Sequence, residues 1–124
     1  MPTRRSGLYA LVAAALAATP AAAQDAENGQ KVFRQCQACH VADQEQNRVG
    51  PHLVGIIGRP AGAVEGFKYS PSMANSGLVW TPETIAEYLA DPRGYVSGNR
   101  MAFAGLKKPE DIADVIAYLE SIGS

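Results

Sequence analysis

The 124-residue chain lacks the features that define several common classes of protein. It has two cysteines, too few for the dense disulfide framework of a small secreted scaffold. Eleven basic residues stand against twelve acidic ones, which excludes a generally basic nucleic-acid binder. No apolar run reaches the about 20 residues needed to cross a bilayer. The length therefore allows one domain, and no membrane span is expected in it.

The first 23 residues differ in composition from the rest of the chain. Arg4 and Arg5 precede an apolar run of 12 residues, positions 7–18, and three alanines end the segment at positions 21–23. A basic start, an apolar centre and a small-residue end are typical of a secretory signal peptide. We therefore expect cleavage before Gln24 and export of residues 24–124 to a bacterial periplasm. This domain has nine basic and twelve acidic residues, a formal charge of −3.

Residues 24–124 show helical patterns and no alternating strand pattern, so the predicted fold class is all-α. A first helix is predicted over about residues 26–39, with Asp25 as its cap. A second begins at positions 81–83 and is stopped by Asp91 and Pro92. A short helical turn is predicted over residues 70–75. The third main helix, from Pro109 to Gly123, has apolar residues at i, i+3, i+4 and i+7: Ile112, Val115, Ile116 and Leu119.

Long segments rich in glycine and proline separate these helices. About 40 residues lie between the first and second helix, whereas unstructured loops beyond about 15 residues are uncommon in compact domains. The expected domain also has only eight aromatic residues. Either the domain is loosely packed, or its loops pack on something other than polypeptide, and a large apolar cofactor would supply that core.

Both cysteines lie in one short motif, Cys36-Gln37-Ala38-Cys39-His40. C-x-x-C-H is the attachment signature of a c-type haem. On a helical turn two thiols three residues apart face the same way, so that both can bond to vinyl groups on one porphyrin edge. His40 would then bind the iron as its proximal ligand.

Other chemical roles of this motif are less well supported by the sequence. A thioredoxin-like redox pair would need a βαβ context, and a disulfide across two residues would close almost no loop. A zinc site needs four ligands, and the mature chain offers one such set: Cys36, Cys39, His40 and His52.

A haem iron with six ligands needs a second axial residue, and the candidates are Met73, Met101 and His52. Met101 is favoured because residues 97–105 have no helical pattern and can wrap to the face opposite His40. Met73 lies in the predicted short turn, where methionine more often fills a core. A thioether opposite a histidine raises the reduction potential relative to two histidines.

From positions 29–33 (GQKVF) to positions 116–119 (IAYL), the domain resembles class I c-type cytochromes, the family of mitochondrial cytochrome c and bacterial cytochrome c2. The resemblance implies three main helices and loops wrapped around one haem c, bound covalently through Cys36 and Cys39. It places the ligand methionine at Met101, before a similar Phe-Ala-Gly. It also implies a contact between the first and last helices through Gly29, Phe33 and Tyr118.

The resemblance assigns further residues to the haem site. It implies that the Pro51 carbonyl accepts a hydrogen bond from His40, and that Tyr88 donates one to the Met101 sulfur. Three residues match positions that offer charge or donors to the haem propionates: Arg59, Tyr69 and Trp80. Asn99 stands near a propionate and the ligand loop, where mitochondrial relatives usually have threonine. Two further departures concern positions where relatives commonly have asparagine: Met73 and His52 stand there in this chain.

With both axial positions filled, chemistry at the iron is disfavoured, and no catalytic constellation is evident. We predict a soluble periplasmic one-electron carrier, not an enzyme, between a cytochrome bc1-type complex and a terminal oxidase or photosynthetic reaction centre. A carrier dedicated to one periplasmic dehydrogenase would differ only in its partner. A second class remains open, a catalytic or gas-binding haem protein in which Met101 dissociates readily.

Between residues 92 and 109 the chain has four basic residues and no acidic one: Arg93, Arg100, Lys107 and Lys108. We call these four residues the basic rim. They match the positions by which relatives meet acidic partners, and long-range charge attraction accelerates such encounters. The alternative is that these four residues lie on an ordinary solvent-exposed loop with no role in docking. We expect redox proteins with acidic docking surfaces as partners, no nucleic acid, no stable membrane insertion and, by resemblance, a monomer.

Overall fold

The computed structural model describes Gly7 and residues 24–123. The predicted signal peptide lies outside the described residues apart from Gly7. The described part contains five α-helices: α1 (Ala26–Val32), α2 (Pro71–Ala74), α3 (Pro82–Ala90), α4 (Pro92–Tyr95) and α5 (Pro109–Gly123). Its only extended pairing is an isolated bridge between Pro60 and Val79, so the predicted all-α class is confirmed. None of its helices is long and apolar enough to cross a membrane.

Side-chain caps determine where the helices begin. The Asp25 carboxylate accepts hydrogen bonds from the backbone N–H groups of Glu27 and Asn28, at 3.0 and 3.1 Å. Ser70 caps α2, and at α3 the Thr81 and Thr84 side chains form a reciprocal capping box. These caps satisfy N–H groups that have no partner inside the helix. The starts therefore agree with the sequence prediction.

The first helix is shorter than predicted. It ends at Val32, and Phe33–Gln35 form a 3-10 turn, so the predicted continuation to residue 39 is wrong. The Cys36 N–H donates to the Phe33 carbonyl at 2.8 Å, an i to i−3 bond that tightens the chain. A second bond of this kind joins the Cys39 N–H to the Cys36 carbonyl at 3.1 Å. The His40 N–H donates to the Cys36 carbonyl at 2.8 Å, an i to i−4 bond, so the haem-attachment motif forms a single turn beyond the end of α1.

One short helix is missing from the sequence prediction. Asp91 and Pro92, which end α3, also begin α4: Asp91 accepts a hydrogen bond from the Gly94 N–H at 3.1 Å, and proline occupies the first turn. Both signals are local, but four residues are too few to show a helical pattern. The side chain of Pro92 is almost completely buried, which anchors the start of the segment before Met101.

The packing of α1 on α5 joins the two ends of the domain. Gly29 is buried where they meet, and a Cβ there would overlap the Asp114 carbonyl and lie 2.8 Å from the Tyr118 Cβ. The rings of Phe33 and Tyr118 pack with their centroids 5.4 Å apart. The expected contact of Gly29, Phe33 and Tyr118 is therefore present.

A buried carboxylate adds polar bonds to this apolar contact. Asp114 is 6% exposed, and it accepts hydrogen bonds from the Asp25 N–H and the Asn28 amide, each at 2.8 Å. Buried carboxylates are stable in proteins only with such partners. Asp114 thus holds the start of α1 against α5.

We predict that Gly29→Ala lowers the free energy of unfolding by about 1–3 kcal/mol, because the added methyl group separates α1 from α5. Denaturant titration of the haem-loaded protein measures this change. Gly123→Ala is the control, since a Cβ at Gly123 meets nothing within 4 Å. Equal midpoints for Gly29→Ala and the unmodified protein would contradict the prediction.

Candidate haem site

Cys36 and Cys39 lie half-buried on the tight turn after α1, and their thiols are not joined in a disulfide. Burial, together with the neighbouring Cys39, raises the pKa of Cys36 to about 11, so its thiol is protonated at neutral pH. Within residues 24–123, no three His, Cys, Asp or Glu side chains are grouped to hold a metal ion. The geometry therefore gives no support to the zinc alternative.

The imidazole of His40 is held by the chain that follows it. His40 Nδ1 lies 2.7 Å from the Pro51 carbonyl oxygen. Because a carbonyl can only accept, Nδ1 bears the hydrogen, and the lone pair is on Nε2. Burial lowers the pKa of His40, the bond to Pro51 opposes that shift, and the charge of Arg59 adds to it. The ring is therefore neutral at neutral pH, the form that binds iron.

Gly50 supports the His40 ring and is absent from the sequence prediction. A Cβ at Gly50 would lie 2.7 Å from Nδ1 and 2.9 Å from Nε2 of His40, so a side chain would displace the imidazole. The Gly50 N–H also donates to the Cys39 carbonyl at 2.9 Å. The adjacent Gly50 and Pro51 were visible in the sequence, but the resemblance assigned a role only to Pro51.

Met101 lies half-buried on the loop between α4 and α5. The Tyr88 hydroxyl on α3 donates a hydrogen bond to the Met101 sulfur at 3.8 Å. Burial raises the pKa of Tyr88 to about 12, so the phenol remains a donor at neutral pH. The Tyr88 ring packs on Trp80 with a centroid separation of 5.0 Å. A rigid helix thus holds a donor against the thioether.

The other two candidates for the second ligand make different contacts. Met73 lies in α2 and, like Met101, packs against the apolar core. His52 Nδ1 accepts a hydrogen bond from the Val54 N–H at 3.3 Å, and the side chain lines a surface groove with Arg59 and Glu65. Of the three, Met101 is the one whose ligating atom is held by a neighbouring helix.

Arg59 and Trp80 lie side by side, because the backbone N–H of Trp80 donates to the backbone carbonyl of Arg59 at 2.9 Å. The Arg59 guanidinium donates to the Val54 carbonyl at 3.3 Å through one of its five N–H groups. Tyr69 is near enough to raise the pKa of Arg59 against the larger lowering effect of burial. The Tyr69 hydroxyl accepts from the Val64 N–H at 3.1 Å, so its own hydrogen can serve another acceptor.

Asn99 and the basic rim lie on the chain around Met101. The Asn99 side chain bonds to backbone groups of its own segment, with the Met101 N–H donating to its oxygen at 2.9 Å. All four basic-rim residues are exposed: Arg93, Arg100, Lys107 and Lys108. They precede and follow Met101, so positive charge is present on both sides of it along the chain.

Two unlinked thiols followed directly by a neutral imidazole fit the covalent attachment of haem, which places this domain among the c-type haem proteins. The chain belongs to the cytochrome c family, whose family model matches residues 26–123.

Similar proteins occur in bacteria and animals. Cytochrome c2 from Blastochloris viridis is 42% identical over 121 residues, which cover 97% of this chain and 95% of that protein. Cytochrome c type-1 from Ascaris suum is 54% identical over 97 residues, 77% of this chain and 87% of that one. The solved structure of cytochrome cH from Methylobacterium extorquens is 41% identical and has a TM-score of 0.75, covering 78% of this chain and 98% of that one.

Membership of this family confirms several predictions made from the sequence. Its members are electron carriers rather than enzymes, and they bind haem c covalently. The class I cytochrome c fold is likewise confirmed. The protein is therefore a redox shuttle of the cytochrome c2 type with a C-x-x-C-H motif at Cys36, Cys39 and His40.

We predict that Cys36→Ala/Cys39→Ala loses all covalent haem, whereas either single variant retains haem through one thioether. Denaturing electrophoresis followed by staining for haem distinguishes the three variants. His52→Ala is the control and should retain full staining, because neither role considered for His52, as a zinc ligand or as a second axial ligand, forms a covalent bond to the porphyrin. Covalent haem in the double variant would show that attachment uses other residues.

Proposed function

We propose that residues 24–124 act in the periplasm as a one-electron carrier with a single haem c, whose iron is ligated by His40 and Met101. The observation that supports this most strongly is the pair of hydrogen bonds at the two ligating side chains. His40 is oriented by Pro51 at 2.7 Å, and Met101 by Tyr88 at 3.8 Å. Each ligand is thus fixed before any partner binds.

A bound haem would accept one electron from the donor and pass it to the acceptor, and the protein would provide its surroundings. The bond to Pro51 prevents the His40 ring from rotating and increases the basicity of Nε2. The bond from Tyr88 draws electron density from the thioether, which favours ferrous iron. Both ligands therefore keep one geometry in the two oxidation states, which keeps the reorganisation energy small.

Haem propionates are carboxylates, and their burial requires cations or hydrogen-bond donors. Arg59 and Tyr69 are near one another, and backbone pairing joins Arg59 to Trp80. A guanidinium, a phenol and an indole together offer several N–H and O–H donors. We assign these three side chains to the propionates.

The partners proposed for the carrier are acidic redox proteins: a cytochrome bc1-type complex as donor, and a terminal oxidase or photosynthetic reaction centre as acceptor. Residues 92–109 bear four exposed positive charges, although residues 24–124 have a formal charge of −3. Such asymmetry orients the protein during an encounter and is screened by salt. Transient binding of this kind suits a shuttle.

Export of the domain is supported by the composition of the N-terminal segment and by the similarity of the chain to a bacterial cytochrome c2. The similarity to cytochrome c2 of Blastochloris viridis covers 97% of this chain and so extends into residues 1–23. We propose that this segment is a secretory signal peptide that is removed before Gln24. Attachment of haem would then yield the mature carrier in the periplasm.

Visible spectroscopy of the haem-loaded protein tests the function. The oxidised protein should show the weak long-wavelength absorption band that accompanies iron–methionine ligation in this family. The reduced protein should bind carbon monoxide slowly. Absence of the band, together with fast carbon monoxide binding, would instead support a catalytic or gas-binding haem protein in which Met101 is displaced.

We predict that Tyr88→Phe lowers the reduction potential by about 20–40 mV, the equivalent of one weak hydrogen bond for a one-electron couple. Without the hydroxyl, the sulfur becomes a better electron donor to ferric iron. A redox titration followed by visible absorption measures the shift. Tyr95→Phe is the control, since Tyr95 packs on Tyr88 but does not bond to Met101. An unchanged or higher potential in Tyr88→Phe would contradict this role.

We predict that Lys107→Glu/Lys108→Glu slows electron exchange with acidic partners at low salt by at least about tenfold, because the reversed charges repel the docking surface. Stopped-flow rates at several ionic strengths measure the effect, which should diminish as salt increases. The single variants Lys107→Glu and Lys68→Glu form a matched pair, as both positions are exposed and only Lys107 belongs to the basic rim. Equal rates for this pair, or rates independent of salt, would contradict docking at the rim.

A further inference from the structure

The side-chain amide of Asn99 makes three hydrogen bonds to the backbone around Met101. Its Nδ2 group donates to the carbonyl oxygens of Pro92 and Val96, each at 2.8 Å. Its Oδ1 accepts from the Met101 N–H at 2.9 Å. Both amide hydrogens and the amide oxygen therefore have partners. The bond to Met101 spans two residues, which is the Asx-turn geometry that asparagine favours.

The carbonyl groups that Asn99 contacts are themselves fixed. Pro92 begins α4 and is almost completely buried, and its carbonyl also accepts from the Val96 N–H at 3.1 Å. The Val96 carbonyl also accepts from the Asn99 N–H at 3.2 Å. The amide thus connects both ends of α4 to the residue proposed as the iron ligand.

The rest of the loop lies close to its neighbours at two further points. Before Asn99, Gly98 has a φ of +87°, and a Cβ there would lie 3.1 Å from the Ser72 Oγ. After Met101, the Leu106 N–H donates to the Leu89 carbonyl at 2.8 Å, at the end of α3. Asn99 lies between these two points and is the side chain that bonds to the Met101 backbone.

We propose that Asn99 is a positioning residue for Met101, which keeps the thioether under the Tyr88 hydroxyl and limits opening of the loop to outside ligands. This inference rests on the proposed ligation by Met101. A threonine, usual at this position in mitochondrial relatives, has one donor and could not make both bonds to Pro92 and Val96. Asparagine therefore gives this loop an internal clamp that a hydroxyl cannot reproduce.

Imidazole binding to the oxidised, haem-loaded protein tests the inference. Imidazole can reach the iron only when Met101 leaves, so its association rate reports how often the loop opens. We expect Asn99→Ala to increase this rate by about tenfold or more, since each lost hydrogen bond favours the open loop. The rate for Asn99→Ser should lie between those of the unmodified protein and Asn99→Ala, because a hydroxyl makes the same turn more weakly.

Two controls separate positioning from general stability. Ser97→Ala removes a hydroxyl from an exposed residue of the same loop and should leave the imidazole rate unchanged. Gly29→Ala weakens the contact between α1 and α5, so it should lower the unfolding midpoint without changing the imidazole rate. Asn99→Ala should do the reverse, with a large change in rate and a smaller one in midpoint.

The results also distinguish this inference from the function on which it rests. If the unmodified oxidised protein lacks the iron–methionine band, ligation by Met101 fails. If the band is present and the rates for Asn99→Ala and Asn99→Ser stay within twofold of the unmodified protein, only the role of Asn99 is overturned. An equal increase in Ser97→Ala or Gly29→Ala would also overturn it. Should Asn99→Ala not fold, the rate for Asn99→Ser decides.

Discussion

The hydrogen bond from His40 to the Pro51 carbonyl determines which nitrogen of the imidazole is available to iron. With Nδ1 bonded to the carbonyl at 2.7 Å, Nε2 bears the lone pair that the proposed ligation needs. Gly50 permits this arrangement, because a side chain there would occupy the space of the ring. The tight turn that carries Cys36 and Cys39 directly precedes His40 in the chain. Covalent attachment and the proposed ligation by His40 thus depend on one short segment, residues 36–51, and on the carbonyl at its end.

The two proposed axial ligands are held in different ways. His40 lies on a turn that continues from α1, whereas Met101 lies on a loop that the chain must stabilise by itself. Tyr88 holds the Met101 sulfur from α3, and Asn99 holds its backbone from within the loop. A thioether is a neutral ligand, and its retention depends on such local constraints. In the proposed carrier, electron transfer would benefit because neither ligand has to move when the iron changes its charge.

The parts of this structure that were predicted from the residues themselves depend on positions close together in the chain, whereas long-range contacts such as Gly29 with Tyr118 were expected only from the resemblance to class I cytochromes. The haem motif, the prolines at helix starts and the apolar spacing of α5 are all local signals. One contact that was missed joins distant residues: Asp114 bonds to Asp25 across 89 positions. The predicted helix over residues 26–39 failed beyond Val32 because 3-10 bonds tighten the chain there. Gly50 was overlooked because its role depends on the His40 ring, which only the folded chain brings against it.

Iron X-ray absorption tests the central claim most directly. In the haem-loaded protein, both oxidation states should show one sulfur atom bonded to iron, and Met101→Ala should lose it. Nitrogen should remain as the other axial ligand in both proteins. An iron site without sulfur in the unmodified protein would contradict the account. Sulfur that persists in Met101→Ala would also contradict it and would make Met73 the ligand.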